Sequence, residues 1–317
     1  MSVLDHYMTD KHGRRMRKLR ISLLDACNLR CLYCMPEHPV FMPQKDWAST
    51  EDLMHITRNL VTLGIEEIRL TGGEPLMRKD FVEIVYKLST LPVKKLGLTT
   101  NALLLAPYLP FLQHTKLRHL NISLDSLDAE NFIRLTRRDG FSAVMDAILT
   151  AKALGFKVKI NTVIMKGVND HELSAFVEWS ATHLIPVRFL EVMNVGVMKS
   201  QFQKRFLPAS DMMAMLRADY RLSALNDMPD STSRNFHVSN GAKIGFITSE
   251  SNPFCTGCSR LRLTPKGQIR PCLFMEEGID LKPLAPEDYP AALAAIITMK
   301  PTGRISHQPQ PMYQIGG

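Results

Sequence analysis

Ala26-Cys27-Asn28-Leu29-Arg30-Cys31-Leu32-Tyr33-Cys34-Met35-Pro36 sets three cysteines at positions 27, 31 and 34, a C-x3-C-x2-C spacing. The alternating apolar run Leu19-Arg20-Ile21-Ser22-Leu23-Leu24 precedes it and reads as a β-strand. The cysteines then fall in the loop leaving that strand's C-terminal end. Three thiolates within eight residues can hold three corners of a cubane. A [4Fe–4S] cluster usually takes four cysteines, so three leave one iron for a non-protein ligand. A structural zinc site wants four closed ligands, and nearby His12 and His38 stand at no familiar zinc spacing. A disulfide framework belongs with a secretory context, and the N-terminus shows no apolar leader core.

Outward from that loop, strands and helices alternate, the pattern of parallel βα units. Strands are expected over 19–24, 67–70, 95–99, 119–123, 157–163 and 187–193. A helix is expected to start at Ser49-Thr50-Glu51-Asp52, a cap followed by first-turn acids, and to end at Gly64. Further helices are expected over 81–89, 103–114, 129–135, 142–154, 170–183 and 209–219. Six such units predict an α/β fold, a partial (β/α)6 TIM-type barrel with its site at the strands' C-terminal ends. Polar residues 222–241 read as a linker. Short β segments over 242–247, 260–264 and 268–270, with a last helix over 287–299, follow as a small C-terminal α+β extension. The expected organisation is a basic arm (1–18), the barrel (19–221), the linker (222–241) and an Fe–S-binding extension (242–317) ending in a Gly-Gly tail.

Hydrophobic residues make up 45% of the 317, enough for a sizeable core. No stretch approaches the roughly 20 apolar residues of a membrane span, so no membrane partner is expected, and reduced cysteines and a cytoplasmic location are. The net charge of +8 favours an anionic partner. Lys11, Arg14, Arg15, Arg17, Lys18 and Arg20 crowd the N-terminus, a run that usually forms a solvated arm. No nucleic-acid motif accompanies it, so no nucleic acid is expected; a phosphorylated small molecule accounts for the charge equally well.

A second triad lies at Cys255, Cys258 and Cys272, a C-x2-C-x13-C spacing, with no histidine between residues 238 and 306 to complete a zinc ribbon. A second [4Fe–4S] cluster with one open iron accounts for it better. Arg260 and Arg262 stand two apart on a strand and share a face, where two guanidiniums suit a phosphate chain. Thr71-Gly72-Gly73-Glu74-Pro75 leaves the second strand; paired glycines there let a ligand approach the backbone.

The segment from Arg20 to Pro36 resembles the signature of radical S-adenosylmethionine (SAM) enzymes, and Gly72-Gly73-Glu74-Pro75 is similar to their GGEP motif. The resemblance implies that SAM chelates the open iron and is cleaved to a 5′-deoxyadenosyl radical. It places Tyr33, Gly73, Glu74, Ser123 and Met193 around SAM. The second triad, Arg260-Leu261-Arg262 and the terminal Gly316-Gly317 together resemble the GTP 3′,8-cyclase family of molybdenum cofactor biosynthesis. That family removes the ribose 3′ hydrogen of GTP and joins C3′ to C8 of guanine. By this resemblance Arg20, Arg69, Thr99, Lys159, Arg260, Leu261 and Arg262 form the GTP site, and Arg260, Arg262, Gly316 and Gly317 act at the reacting end. It also implies an external electron donor and a downstream cyclic pyranopterin monophosphate synthase, and leaves a homodimer open. The chain departs from the family pattern at Ala26, Ala102, Asn194 and Ser259. A peptide-modifying radical SAM enzyme and a non-catalytic two-cluster electron carrier stay open as alternatives.

Overall fold

The six expected strands form: β1 (Lys18–Ser22), β2 (Glu67–Thr71), β3 (Lys95–Thr100), β4 (Leu117–Ser123), β5 (Lys157–Ile164) and β6 (Val187–Glu191). They pair in parallel and in chain order. The computed structural model describes residues 8–305 and 310–315. Alternation along each strand sorts the side chains by face. Leu19, Ile21, Ile68, Leu70, Leu96, Leu98, Leu120 and Ile122 join the main core with apolar residues of the covering helices. The opposite face carries Arg20, Thr71, Thr99, Asn121, Ser123, Asn161 and Arg188, a polar set that lines a cavity.

Helices α1 (Thr50–Thr62), α2 (Phe81–Ser89), α3 (Ala129–Thr136), α4 (Phe141–Ala153), α5 (Leu173–His183) and α6 (Ala209–Arg217) form the outer layer. At the start of α1, Ser49 and Asp52 complete a reciprocal capping box. The helix expected over 103–114 shrinks to a 3-10 turn (Ala106–Tyr108) and one α-turn (Leu109–Leu112). Pro107 and Pro110 remove two backbone donors there, which explains the shortening.

One expectation about the C-terminal third is corrected. The stretch 222–241 is more than a linker, because β7 (Leu222–Ala224) and β8 (Arg234–Val238) form within it and pair antiparallel. The extension itself is built directly onto the edges of the six-stranded sheet. Strand β9 (Lys243–Ile247) pairs in parallel with β6, and β10 (Arg260–Leu263) pairs in parallel with β1. With β11 (Gln268–Arg270) and β12 (Ile279–Asp280), one sheet runs β12-β11-β10-β1-β2-β3-β4-β5-β6-β9-β8-β7. The physical reason is that a six-stranded sheet leaves unpaired N–H and C=O groups on both edges. The C-terminal strands cover both, and α7 (Tyr289–Thr298) packs Leu293 and Ile296 into the same core.

The basic N-terminal segment is likewise folded against the body. Met8 and Met16 are fully buried, and the Arg17 and Lys18 amides donate to the Ser259 carbonyl at 3.1 Å each. Asp230 anchors this junction: its Oδ2 accepts from Arg17 at 2.8 Å, Lys18 at 2.9 Å and Ser259 Oγ at 2.5 Å. Burial pushes the Asp230 carboxyl up, but the bonds from Ser259, Lys18 and Arg17 outweigh it and bring it from 3.8 down to about 2. A depressed folded-state pKa stabilises above the unfolded value and loses that contribution as pH falls through the folded one. Asp230→Asn is therefore expected to cost about 2 kcal/mol at pH 7. Chemical denaturation at pH 7 and again near pH 2 checks this, since the two chains should converge at the lower pH.

Candidate active site

Both cysteine triads open onto one cavity of about 320 Å³ at the C-terminal ends of the strands. Cys27, Cys31 and Cys34 occupy the β1 exit loop, and all six cysteines are free thiols. Burial pushes the Cys27, Cys31 and Cys34 thiols up, Cys27 to about 11, with Glu74 adding to Cys27 and Asp125 to Cys31. A buried thiol triad of this kind is protonated at neutral pH unless a metal charge replaces its protons. Among the described residues no three His, Cys, Asp or Glu side chains converge on a point where one ion would sit. A cubane takes one thiolate at each of several separate irons, so a wider spread of thiols suits it.

The GGEP segment braces this loop. A side chain at Gly73 would meet the Ala26 carbonyl at 2.2 Å, and one at Gly72 the Leu24 carbonyl at 2.5 Å. The space the glycines leave is thus filled by the strand end and loop leading to Cys27. Glu74 is fully buried; Oε1 accepts from Thr100 Oγ1 at 2.7 Å and Leu76 N at 3.1 Å, and Oε2 from Asn101 N at 2.8 Å. Burial lifts its carboxyl to about 7 against those bonds. Asn101 then donates to Asn28 at 2.7 Å, tying the β3 exit to the cysteine loop. Ala102 takes φ +63°, the left-handed region that costs a residue with a Cβ roughly 1–2 kcal/mol. Tyr33 donates to the buried Asp125 at 2.8 Å, which fixes the aromatic before Cys34.

The second triad sits in the opposite electrostatic setting. Burial pushes the Cys258 thiol up, but Arg260 and Lys300 outweigh it and bring it down to about 6. The Arg260 guanidinium also stacks 4.9 Å from the Phe254 ring centroid. Beside this triad, Arg262, Arg20 and Arg69 stand in register on β10, β1 and β2. Burial lowers Arg20, and the neighbouring Arg262, Arg260 and Arg69 lower it further. Burial likewise brings Arg69 and Arg262 to about 10, and Lys159 to about 8 with Arg188 adding to it. Among the described residues no carboxylate lies within ion-pair distance of Arg20, Arg69, Lys159 or Arg188. Desolvated cations at this density need an anionic partner.

Of the residues singled out from sequence, Tyr33, Gly73, Glu74, Ser123, Met193, Arg20, Thr99, Arg260, Arg262 and the six cysteines all line the cavity. Arg69 and Lys159 occupy the same sheet face without forming its wall, and Arg69 Nη1 donates to the Leu98 carbonyl at 3.0 Å. Leu261 is corrected: it points to the opposite face of β10 and is fully buried in the hydrophobic core. Gly316 and Gly317 lie outside the described residues; Met312 and Tyr313, just before them, line the cavity. Sequence reading passed over Arg188, whose buried Nε and Nη2 find no hydrogen-bond partner among the described residues. Its signal was a charged residue inside the apolar strand Val187-Arg188-Phe189-Leu190.

Comparison with known proteins gives concordant results. The family model described as Radical SAM superfamily matches residues 21–180, and that described as Molybdenum Cofactor Synthesis C matches 185–305. The chain is 40% identical to GTP 3′,8-cyclase of Synechocystis over 98% of its own length and 95% of that protein's. It is 39% identical to GTP 3′,8-cyclase of Erythrobacter litoralis over 93% and 91%. Among solved structures, Streptococcus suis SuiB bound to precursor peptide SuiA superposes with a TM-score of 0.65 at 16% identity, covering 91% of this chain and 68% of that one. That likeness concerns the fold alone. The full-length sequence matches, falling on a chain whose two cysteine triads and cationic sheet face share one cavity, mean that it belongs to the radical SAM superfamily and, within it, to the GTP 3′,8-cyclases.

Proposed function

We propose that the polar face of the barrel divides one reaction between its two ends, converting GTP to (8S)-3′,8-cyclo-7,8-dihydroguanosine 5′-triphosphate, the first step of molybdenum cofactor biosynthesis. Membership of the radical SAM superfamily brings SAM and a [4Fe–4S] cluster, and bound SAM supplies the 5′-deoxyadenosyl group that takes up the substrate's 3′ hydrogen. Cys27, Cys31 and Cys34 hold this cluster, while Glu74 and Asn101 keep their loop in place. Gly73, Ser123, Met193 and Tyr33 wall the SAM side of the cavity. Cys255, Cys258 and Cys272 hold a second [4Fe–4S] cluster, toward which the guanine end of GTP points.

The triphosphate lies on the cationic face, against Arg20, Arg262, Arg260 and Arg188, with Arg69 and Lys159 adding to its field and Thr99 donating a hydroxyl. Leu261 contributes packing beneath that face. The tail at Gly316-Gly317 follows Tyr313 to the cavity. An external donor supplies the electron, and a cyclic pyranopterin monophosphate synthase takes the product.

The observation that carries this reading is the single cavity shared by both triads and the arginines. A neutral peptide substrate would leave Arg20 and Arg188 without an anion among the described residues. Calorimetry on the cluster-loaded chain is expected to show GTP binding strongly favoured over guanosine, since the phosphates pair with Arg20 and Arg188. Equal affinity for the two would contradict the placement of the triphosphate.

A further inference from the structure

Two buried cations outside the arginine row grip the segments that carry Cys255, Cys258 and Cys272. Lys300 is only 6% exposed. Two of the donors on its ammonium are used on backbone: Nζ donates to the Arg260 carbonyl at 2.7 Å and to the Pro271 carbonyl at 2.7 Å, and its charge helps to bring the neighbouring Cys258 thiol down. One ammonium thus joins the start of β10, two residues after Cys258, to the residue before Cys272.

Arg14, also 6% exposed, fixes Lys300 in turn. Its Nη1 donates to the Cys255 carbonyl at 2.7 Å and to the Pro301 carbonyl at 2.8 Å, and Nη2 to the Lys300 carbonyl at 3.1 Å. Its Nε donates to Asp10 Oδ2 at 2.6 Å, and that carboxylate neutralises it. The net charge of the trio Asp10, Arg14 and Lys300 is therefore +1, carried by the ammonium that faces the thiols.

We propose that Lys300, held by Arg14 and Asp10, is the positioning residue of the C-terminal cysteine triad. It sets the spacing of Cys258 and Cys272 and places a fixed cation against the metal group they hold. This rests on the second-cluster reading above. A cation held beside a ligating sulfur stabilises the more negative, reduced state of an Fe–S centre. Lys300 is thus both a spacer and a determinant of the centre's potential.

The test uses the full chain carrying Cys27→Ala, Cys31→Ala and Cys34→Ala as parent, reconstituted anaerobically with iron and sulfide. The parent is expected to take up about four irons per chain. Adding Lys300→Met is expected to lower that uptake at least fivefold, or to leave a centre whose midpoint, followed by EPR, lies at lower potential. In the otherwise native chain, Lys300→Met should halve the iron and keep the N-terminal centre's spectrum, which shows that the fold survives. If Lys300→Met does not fold, Arg14→Gln is measured in the same way. Unchanged iron at unchanged potential overturns the proposal. Absence of iron in the parent would instead overturn the second-cluster reading. Amide exchange over 255–262 and 269–273 in the iron-free chain then decides the clasp: faster exchange in Lys300→Met supports it, and identical exchange overturns it.

Discussion

Replacing Cys27, Cys31 or Cys34 by alanine is expected to abolish 5′-deoxyadenosine formation from SAM. Three thiolates leave one open iron; two leave a cluster that is poorly held and a SAM site without its anchor. Losing a residue that merely orients a metal ligand typically costs about 10–100-fold, and losing the ligand itself exceeds that. Chromatographic quantification of 5′-deoxyadenosine under reducing, anaerobic conditions reads the effect directly. The C-terminal triad provides the control, because Cys272→Ala should stop GTP conversion while SAM cleavage persists without a productive substrate. If Cys31→Ala kept wild-type cleavage, the N-terminal triad would not hold the catalytic cluster.

Arg188→Leu is expected to change stability and binding in opposite directions. The guanidinium is largely buried on β6, two of its nitrogens meet no acceptor among the described residues, and burial, with Arg69 adding, brings it down to about 9. Removing an unpaired buried charge in favour of an apolar side chain stabilises by about 1–4 kcal/mol, so the ligand-free variant should melt at a higher temperature than the parent. GTP supplies the missing acceptors, and charge-assisted bonds of this kind contribute about 1.5–3 kcal/mol, so affinity should fall roughly 10- to 150-fold. Thermal melts with and without GTP check both halves. A variant that melts lower and binds GTP equally well would make Arg188 a structural residue.

Much of this was legible in the sequence because it is local. The alternation Leu19-Arg20-Ile21-Ser22 fixes both a strand and the face on which Arg20 lies, and the two cysteine spacings mark the loops that face the cavity. What stayed hidden is long-range. Nothing near Lys243 or Arg260 announces that β9 and β10 pair with β6 and β1, because parallel edge pairing is set by partners far away in the chain. The same blindness made a linker of 222–241, where β7 and β8 are too short to show a period. Leu261 shows the converse failure: a motif taken whole as Arg-Leu-Arg includes a residue that strand geometry turns into the core. Lys300 left no mark because the groups it bonds are backbone carbonyls far away in the chain, and Arg14 showed only as one of a run of basic residues.

The central claim is that the two ends of the cavity act on one GTP molecule. Its most direct test is an anaerobic assay of the cluster-loaded chain with SAM, a reductant and GTP deuterated at the ribose 3′ position, analysed by mass spectrometry. The account predicts deuterium in 5′-deoxyadenosine and a new species of GTP mass lacking that label. 5′-Deoxyadenosine free of deuterium, with GTP unchanged, would contradict it and leave a radical SAM enzyme acting on some other substrate.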